Sequence, residues 1–278
     1  MPYDLDLTGC WAKLDRASYH VGNLLAEIAD ASDGDAAIVP LRRQFEADQR
    51  AIVYRVDRLI EVRDHWSLIV GDAVHNFRSA LDHLAWQLAL RYFNGVTPSE
   101  AEARKIQFPI VYDKTEWFTA THRKFMLPAD ADKLEKFQPF NTPAGFVGKH
   151  FLDGLREISN SDKHRILELI YTVPHQVGYV GPHYFDFIDC IPSIIKEDGG
   201  ISVVTTKPTN PLQVGDEIAR IYVTPKGPNP DVDLKARLTA FIGVRERWNL
   251  LEAFDWFGVG VMTILGEFTP PEQRGIWL

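Results

Sequence analysis

The order of hydrophobic and polar positions predicts long amphipathic helices in the first 172 residues. Between residues 8 and 31, apolar side chains recur at steps of three and four, starting just after Thr8, which is a good helix cap. A second long helix is predicted over residues 65–91. Asn94 and Gly95 follow it, a pair that tolerates the left-handed conformation and therefore ends helices well.

Shorter elements are predicted around these two helices. Residues 41–49 look helical, and the β-branched run Ala51–Val56 is interpreted as a strand or as an extension of that helix. Thr97 and Pro98 are expected to cap a short helix to about residue 104, and two more helices are predicted over residues 114–125 and 129–137. A longer helix is expected from about residue 144 or 146 to residue 171, because its apolar positions share one face.

The pattern changes beyond Pro174. Short β-rich runs cover residues 179–189, 201–206, 217–223 and 237–244, and the Gly, Pro, Asn and Asp residues between them favour an antiparallel sheet or meander, with a hairpin loop at 225–234. A final helix is predicted over roughly residues 245–268. The sequence therefore predicts an α+β fold: a mainly helical, bundle-like domain at 1–172, and a β-rich region with a closing helix at 173–278, packed together as one unit.

Composition narrows the classes of function. The formal charge of -8 argues against a broad electrostatic grip on a nucleic-acid backbone, although local basic clusters remain compatible with a short nucleic acid. With two cysteines, Cys10 and Cys190, and no recognisable leader, we expect a cytoplasmic protein without disulfides. The apolar stretch 256–265 is short of the roughly 20 residues that span a bilayer, so no membrane association is expected. Signatures of serine hydrolases, Walker-loop kinases and Rossmann oxidoreductases are not found.

The helix predicted at 65–91 carries an unusual set of polar residues, here called the polar stripe: Asp72, His75, Asn76, Arg78, Ser79, Asp82 and His83. A solvated helix face is usually rich in Lys and Glu, yet neither occurs from Gly71 to Trp86. Short polar residues form helices poorly, so some other interaction should compensate for them. Two interpretations follow: a functional site, or a polar network buried between helices.

A second polar cluster, NSDKHR, comprises Asn160, Ser161, Asp162, Lys163, His164 and Arg165. In an unbroken helix, Asp162 falls on the apolar side and should point inward. A buried carboxylate needs a partner, for which Arg78, His75 and His83 on the facing helix are candidates. A structural ion pair between two helices and a catalytic arrangement both remain open.

The run GDAVHNFRSALDHLAWQL, together with FPI at 108–110, QPF at 138–140 and NSDKHR, resembles a family of uncharacterised bacterial proteins common in actinobacteria. More distantly, the segment from Arg78 to His83 is similar to the R-x4-H signature of HEPN domains. These are helical bundles that often dimerise and act as metal-independent ribonucleases. The resemblance implies that Arg78 steadies a phosphate and that His83 exchanges the proton of an attacking 2′-hydroxyl across a dimer interface.

Three functional hypotheses follow. The first is a HEPN-like homodimer without a cofactor that acts on RNA or a nucleotide in defence or stress, with Arg78 and His83 as the working pair and His75, Asn76 and Asp82 beside them. The second is a metal-dependent enzyme whose ligands come from Asp72, His75, His83, Asp162 and His164. The third is a non-enzymatic module that binds a ligand or a protein, in which the polar stripe is structural.

Overall fold

The computed structural model of the chain describes residues 3–31, 38–46, 51–119, 121–142, 150–163, 167, 169–172, 201–205, 212–223, 238–239, 241–244 and 248–270. These residues form an α+β fold, as predicted. They belong to two compact units, each assembled from separated stretches of chain. The first unit comprises 1–26, 64–167 and 251–278, and the second comprises 27–63 and 168–250.

The first unit is mainly helical. Its long helices lie within α1 (Thr8–Ala31), α2 (Asp64–Tyr92), α6 (Phe151–Asp162) and α7 (Leu250–Phe268). Between α2 and α6 come the short helices α3 (Glu100–Ala103), α4 (Lys114–Thr119) and α5 (Pro128–Glu135), with 3-10 helices at Thr121–Phe125 and Pro139–Asn141. The predictions for α1 and α2 are confirmed to within one residue at each end. Asn94 and Gly95 follow α2 with positive φ angles of 52° and 84°, as its predicted end requires.

The apolar face of α2 lies at the centre of this unit. Its buried members include Trp66, Val70, Ala73, Phe77, Ala80, Leu81, Leu84 and Leu88. The Phe77 ring lies 6.4 Å from that of Phe254 and 6.0 Å from that of Phe257, both on α7. Gly260 lets α7 approach α6, because a Cβ at this position would lie 2.5 Å from the Phe151 ring. The packing of this apolar face sets the orientation of α2 within the unit, and with it the direction in which the polar stripe points.

Three predicted boundaries in the helical elements are wrong. The helix expected to reach residue 171 ends at Asp162, and Leu169–Thr172 forms strand β4. Ser99, rather than Thr97 and Pro98, caps α3 through a reciprocal capping box with Glu102. The last helix starts at Leu250 instead of near residue 245, because Trp248–Asn249 forms a strand, β9.

The second unit contains antiparallel sheets. One has the order β2 (Leu41–Glu46), β3 (Ala51–Val56), β6 (Glu217–Val223) and β5 (Ile201–Thr205). Another joins β4, β8 (Phe241–Val244) and β9, and a third pairs β1 (Ile38–Val39) with β7 (Leu238–Thr239). The strand at Ala51–Val56 and the antiparallel pairing are confirmed. The helix expected at 41–49 is wrong, because Leu41–Glu46 pairs residue by residue with β3.

Some predictions fall outside the described residues. These are the β-rich run at 179–189, the hairpin loop at 225–234, Cys190, and His164 with Arg165. Cys10 is buried with a free thiol, and burial raises its pKa to about 12. None of the helices formed by the described residues is both long enough and apolar enough to cross a membrane.

Candidate functional site

Arg78 and Asp82 lie one turn apart on the side of α2 that faces Phe108. Nη2 of Arg78 donates to the Phe108 carbonyl oxygen at 2.8 Å, and the Phe108 N–H donates to Oδ1 of Asp82 at 2.8 Å. The two side chains also pair with each other, with 3.1 Å between Nη2 and Oδ1. The backbone N–H and the backbone carbonyl of the buried Phe108 therefore both have hydrogen-bond partners in the polar stripe.

A pocket of about 570 Å³ opens beside this pair, within the first unit. We call it the α2–α6 pocket. Its lining residues are Arg78, Asp82, Gln107, Phe108, Ile110, Val111, Glu116, Thr119, Thr121, Arg156, Ser159, Asn160 and Lys163. The volume lies in the range of small-molecule sites. The polar stripe and the NSDKHR cluster, which lie far apart in sequence, meet at this pocket.

The α6 side of the pocket carries positive charge that no described residue neutralises through an ion pair. Arg156, Asn160 and Lys163 are four and three residues apart, so they follow one side of the helix, and all are exposed. In the described part of the chain, neither Arg156 nor Lys163 forms an ion pair. The Nη1 group of Arg78 likewise has no hydrogen-bond acceptor among the described residues. The pocket therefore offers an anion several cationic groups that no described carboxylate neutralises.

Arg156 is held beside an aromatic ring. Its guanidinium carbon lies 5.0 Å from the centroid of Tyr112, a cation–π contact. Burial raises the pKa of the Tyr112 hydroxyl, and the negative charge of Asp153 adds to this rise while Arg156 opposes it. Asp153 is buried, and its Oδ1 has no hydrogen-bond partner among the described residues. Tyr112 thus holds the guanidinium end of Arg156, and the charge of Asp153 lies near the same hydroxyl.

The rest of the polar stripe does not reach this pocket. Asn76 is buried: its Nδ2 donates to the Asp72 carbonyl at 2.8 Å, and its Oδ1 accepts from Lys13 of α1 at 3.5 Å. His83 is exposed and lies against α1, since a Cβ on Gly9 would be 3.1 Å from its Nδ1. Asn76 and His83 therefore face α1, whereas Arg78 and Asp82 face the pocket.

Asp162 faces α2, as predicted. It lies against Gly71, where a Cβ would come within 2.5 Å of Oδ1, so the absence of a side chain at Gly71 makes room for the carboxylate. Burial raises the pKa of Asp162, the nearby charge of Asp72 raises it further, and His75 partly offsets both. Of the three expected partners, His75 is therefore the one near Asp162. Arg78 is paired with Asp82, and His83 lies against α1.

The proposed metal ligands are not brought together in the described part of the chain. No group of three His, Cys, Asp or Glu side chains there is arranged to hold a metal ion. The charges of Asp72 and His75 each act on Asp162, whereas His83 lies on the side of α2 that faces α1. His164, the fifth candidate, is outside the described residues.

Several pocket residues were not predicted to be functional, among them Glu116, Thr119, Thr121 and Arg156. For Arg156 a signal exists in the sequence, because its spacing from Asn160 and Lys163 places all three on the polar side of an amphipathic helix. For Glu116 there is none, since a Glu in the first turn of a short helix is ordinary.

Comparisons of the chain with protein-family models, with curated proteins and with solved structures gave no match. The function is therefore inferred from the geometry and charge of the α2–α6 pocket itself.

Proposed function

We propose that this chain binds a phosphate-bearing small molecule of nucleotide size in the α2–α6 pocket. The observation that carries the proposal is the set of cations around one cavity: Arg156 and Lys163, which form no ion pair with a described residue, and Nη1 of Arg78, which has no described acceptor. Guanidinium groups present forked donors that match phosphate oxygens, and a lysine ammonium supplies a compact point charge. The amide of Asn160 adds a neutral donor to the same wall.

The position of Arg78 suits this function. Asp82 and the Phe108 carbonyl hold the Nε and Nη2 side of the guanidinium, which leaves Nη1 for a ligand. A side chain fixed before the ligand arrives loses little conformational freedom on binding. Lys163 is exposed and can adjust to the shape of the anion, while the Arg156 guanidinium lies beside the Tyr112 ring. The pocket thus combines two positioned cations with one adaptable cation.

We favour the binding of a small phosphate ligand over a second possible function, in which a single chain cleaves RNA. The R-x4-H chemistry requires Arg78 and His83 at one phosphodiester, but five residues along a helix turn the side-chain direction by about 140°. In the structure, Arg78 lines the pocket while His83 contacts α1 at Gly9. The net charge of -8 also favours a short, locally bound anion over a long nucleic-acid backbone.

The test is calorimetric titration of purified protein with pyrophosphate and with AMP. We expect Arg156→Gln and Lys163→Gln each to weaken binding about tenfold, which corresponds to about 1.4 kcal/mol for one lost charged contact. Lys136→Gln is the matched control, because Lys136 is exposed at the end of α5 and does not line the pocket. Circular dichroism melts verify folding. Absence of binding to the wild type, or an equal loss in the Lys136 variant, contradicts the proposal.

A further inference from the structure

Two carboxylates, those of Asp82 and Glu116, line the α2–α6 pocket, and they differ in how many hydrogen-bond partners they already have. Asp82 already accepts the Phe108 N–H and pairs with Arg78. The side chain of Glu116 is exposed, and no described residue forms a hydrogen bond or an ion pair with its carboxylate. The Thr119 hydroxyl reaches only its backbone carbonyl, at 3.2 Å. Glu116 is therefore the pocket carboxylate with both oxygens available to a ligand.

An unused carboxylate in a pocket with excess positive charge restricts the ligand. An ionised carboxylate accepts hydrogen bonds and repels anions, so it does not serve a site for phosphate alone. A ligand that satisfies all the lining groups has an anionic end for Arg78, Arg156 and Lys163, and hydrogen-bond donors at another point for Glu116. The hydroxyls of Thr119 and Thr121, which also line the pocket, add polar contacts on this side.

Ribose fits this second requirement, because its vicinal hydroxyls are donors placed within reach of one carboxylate. An acidic side chain binds ribose hydroxyls in the same manner in dinucleotide-binding folds. The cavity of about 570 Å³ is large enough to take a phosphate and a ribose together with a base.

We propose that the ligand of the α2–α6 pocket is a ribonucleotide whose phosphate contacts Arg78, Arg156 and Lys163 and whose ribose hydroxyls donate to Glu116. This inference rests on the proposed phosphate-binding function and adds to it the distinction between ribose and deoxyribose. A site that hydrogen-bonds a hydroxyl discriminates against an analogue that lacks it. Because Glu116 is exposed and stays partly hydrated, the expected preference for AMP over 2′-deoxy-AMP is about tenfold, far below that of a buried site.

The experiment compares pyrophosphate, AMP and 2′-deoxy-AMP by calorimetric titration of the full chain. Wild type should bind AMP about tenfold more tightly than 2′-deoxy-AMP. In Glu116→Ala the two nucleotides should bind equally, while pyrophosphate should bind as well as or better than to wild type, because a repulsive charge is gone. Glu116→Gln keeps one acceptor and should show an intermediate preference. Glu267→Ala is the control, since this exposed glutamate lies away from the pocket and should retain the wild-type preference.

The outcomes separate the two proposals. If pyrophosphate and both nucleotides bind wild type but AMP has no advantage, or if the advantage survives in a folded Glu116→Ala variant, the ribose inference is overturned and phosphate binding stands. If none of the three probes binds folded wild type, both fail. A tenfold preference that disappears in Glu116→Ala, with pyrophosphate binding intact, supports both.

Discussion

At the scale of single residues, Asp82 connects the stability of the first unit to its pocket. Its carboxylate accepts a hydrogen bond from the N–H of Phe108. Because Phe108 is only 1% exposed, water has little access to this N–H and would not readily replace Asp82 as its acceptor. The same carboxylate orients Arg78 towards the cavity. Asp82 thus compensates for a poor helix-forming sequence on α2 and, in our proposal, also holds the arginine of the anion site. The structural and the functional interpretation of the polar stripe therefore concern the same two residues, Arg78 and Asp82.

Replacing Asp82 should therefore affect folding as well as binding. We expect Asp82→Ala to lower the free energy of unfolding by about 1–3 kcal/mol, because a buried N–H loses its acceptor. Phosphate binding should weaken too, since Arg78 loses its anchor. Urea denaturation and titration with pyrophosphate measure the two effects. Asp132→Ala, at an exposed position of α5, should change neither, and unchanged stability in the Asp82 variant would contradict the role assigned to this carboxylate.

At the scale of elements, the contact between α2 and α6 includes a carboxylate of α6 that packs against the backbone of α2. Asp162 lies on Gly71, with Asp72 and His75 near it. Because the pKa of Asp162 is raised in the folded protein, the folded state binds more protons than the unfolded state between the usual Asp pKa and the raised one. Stability from this group is therefore present at low pH and decreases as the pH rises through the raised pKa.

This predicts that Asp162→Asn, which keeps the size of the side chain, unfolds at a higher temperature than wild type at pH 7. The difference should disappear near pH 3, below the usual Asp pKa of about 3.9, because wild type is then protonated as well. Thermal melts across this pH range test the prediction, with Asp132→Asn as an exposed control that should show no such trend. A less stable Asn variant at pH 7 would mean that attraction from His75 outweighs burial and repulsion from Asp72.

The elements that the sequence predicted well are those specified by local periodicity. The bounds of α1 and α2 follow from apolar residues three and four apart and from Asn94 and Gly95. The misassigned segments are strands because of the strands with which they pair. Leu169–Thr172 pairs with Phe241–Val244, a partner far along the chain that no window of neighbouring residues reveals. Leu41–Glu46 pairs with β3, the next strand along the chain, and this pairing overrides the helical pattern of residues 41–49.

At the scale of the whole molecule, the sequence supplied the polar residues but not their grouping. It identified Arg78, Asp82, Asn160 and Lys163 as members of two motifs, and these do converge on one pocket. It also grouped His83 with Arg78, although their separation of five positions places them on different sides of α2. Glu116 lines the pocket because of the path that the chain takes after Phe108. Tertiary packing decides that path, so the sequence did not show that Glu116 belongs to the site. A local excess of cations in a chain of charge -8 was likewise not apparent from composition.

The arrangement of Arg78 and His83 leads to a prediction about assembly and RNA. One chain does not bring both side chains to the same phosphodiester, so a monomer should not cleave RNA by the R-x4-H mechanism. We expect purified monomer, incubated with a mixed RNA pool in EDTA, to leave it intact, and His83→Ala to bind AMP as wild type does. Light scattering establishes the oligomeric state of each sample. Cleavage by a wild-type dimer that His83→Ala abolishes would instead show that a second copy supplies His83 to the site of Arg78, and the pocket would then hold one phosphate of an RNA strand.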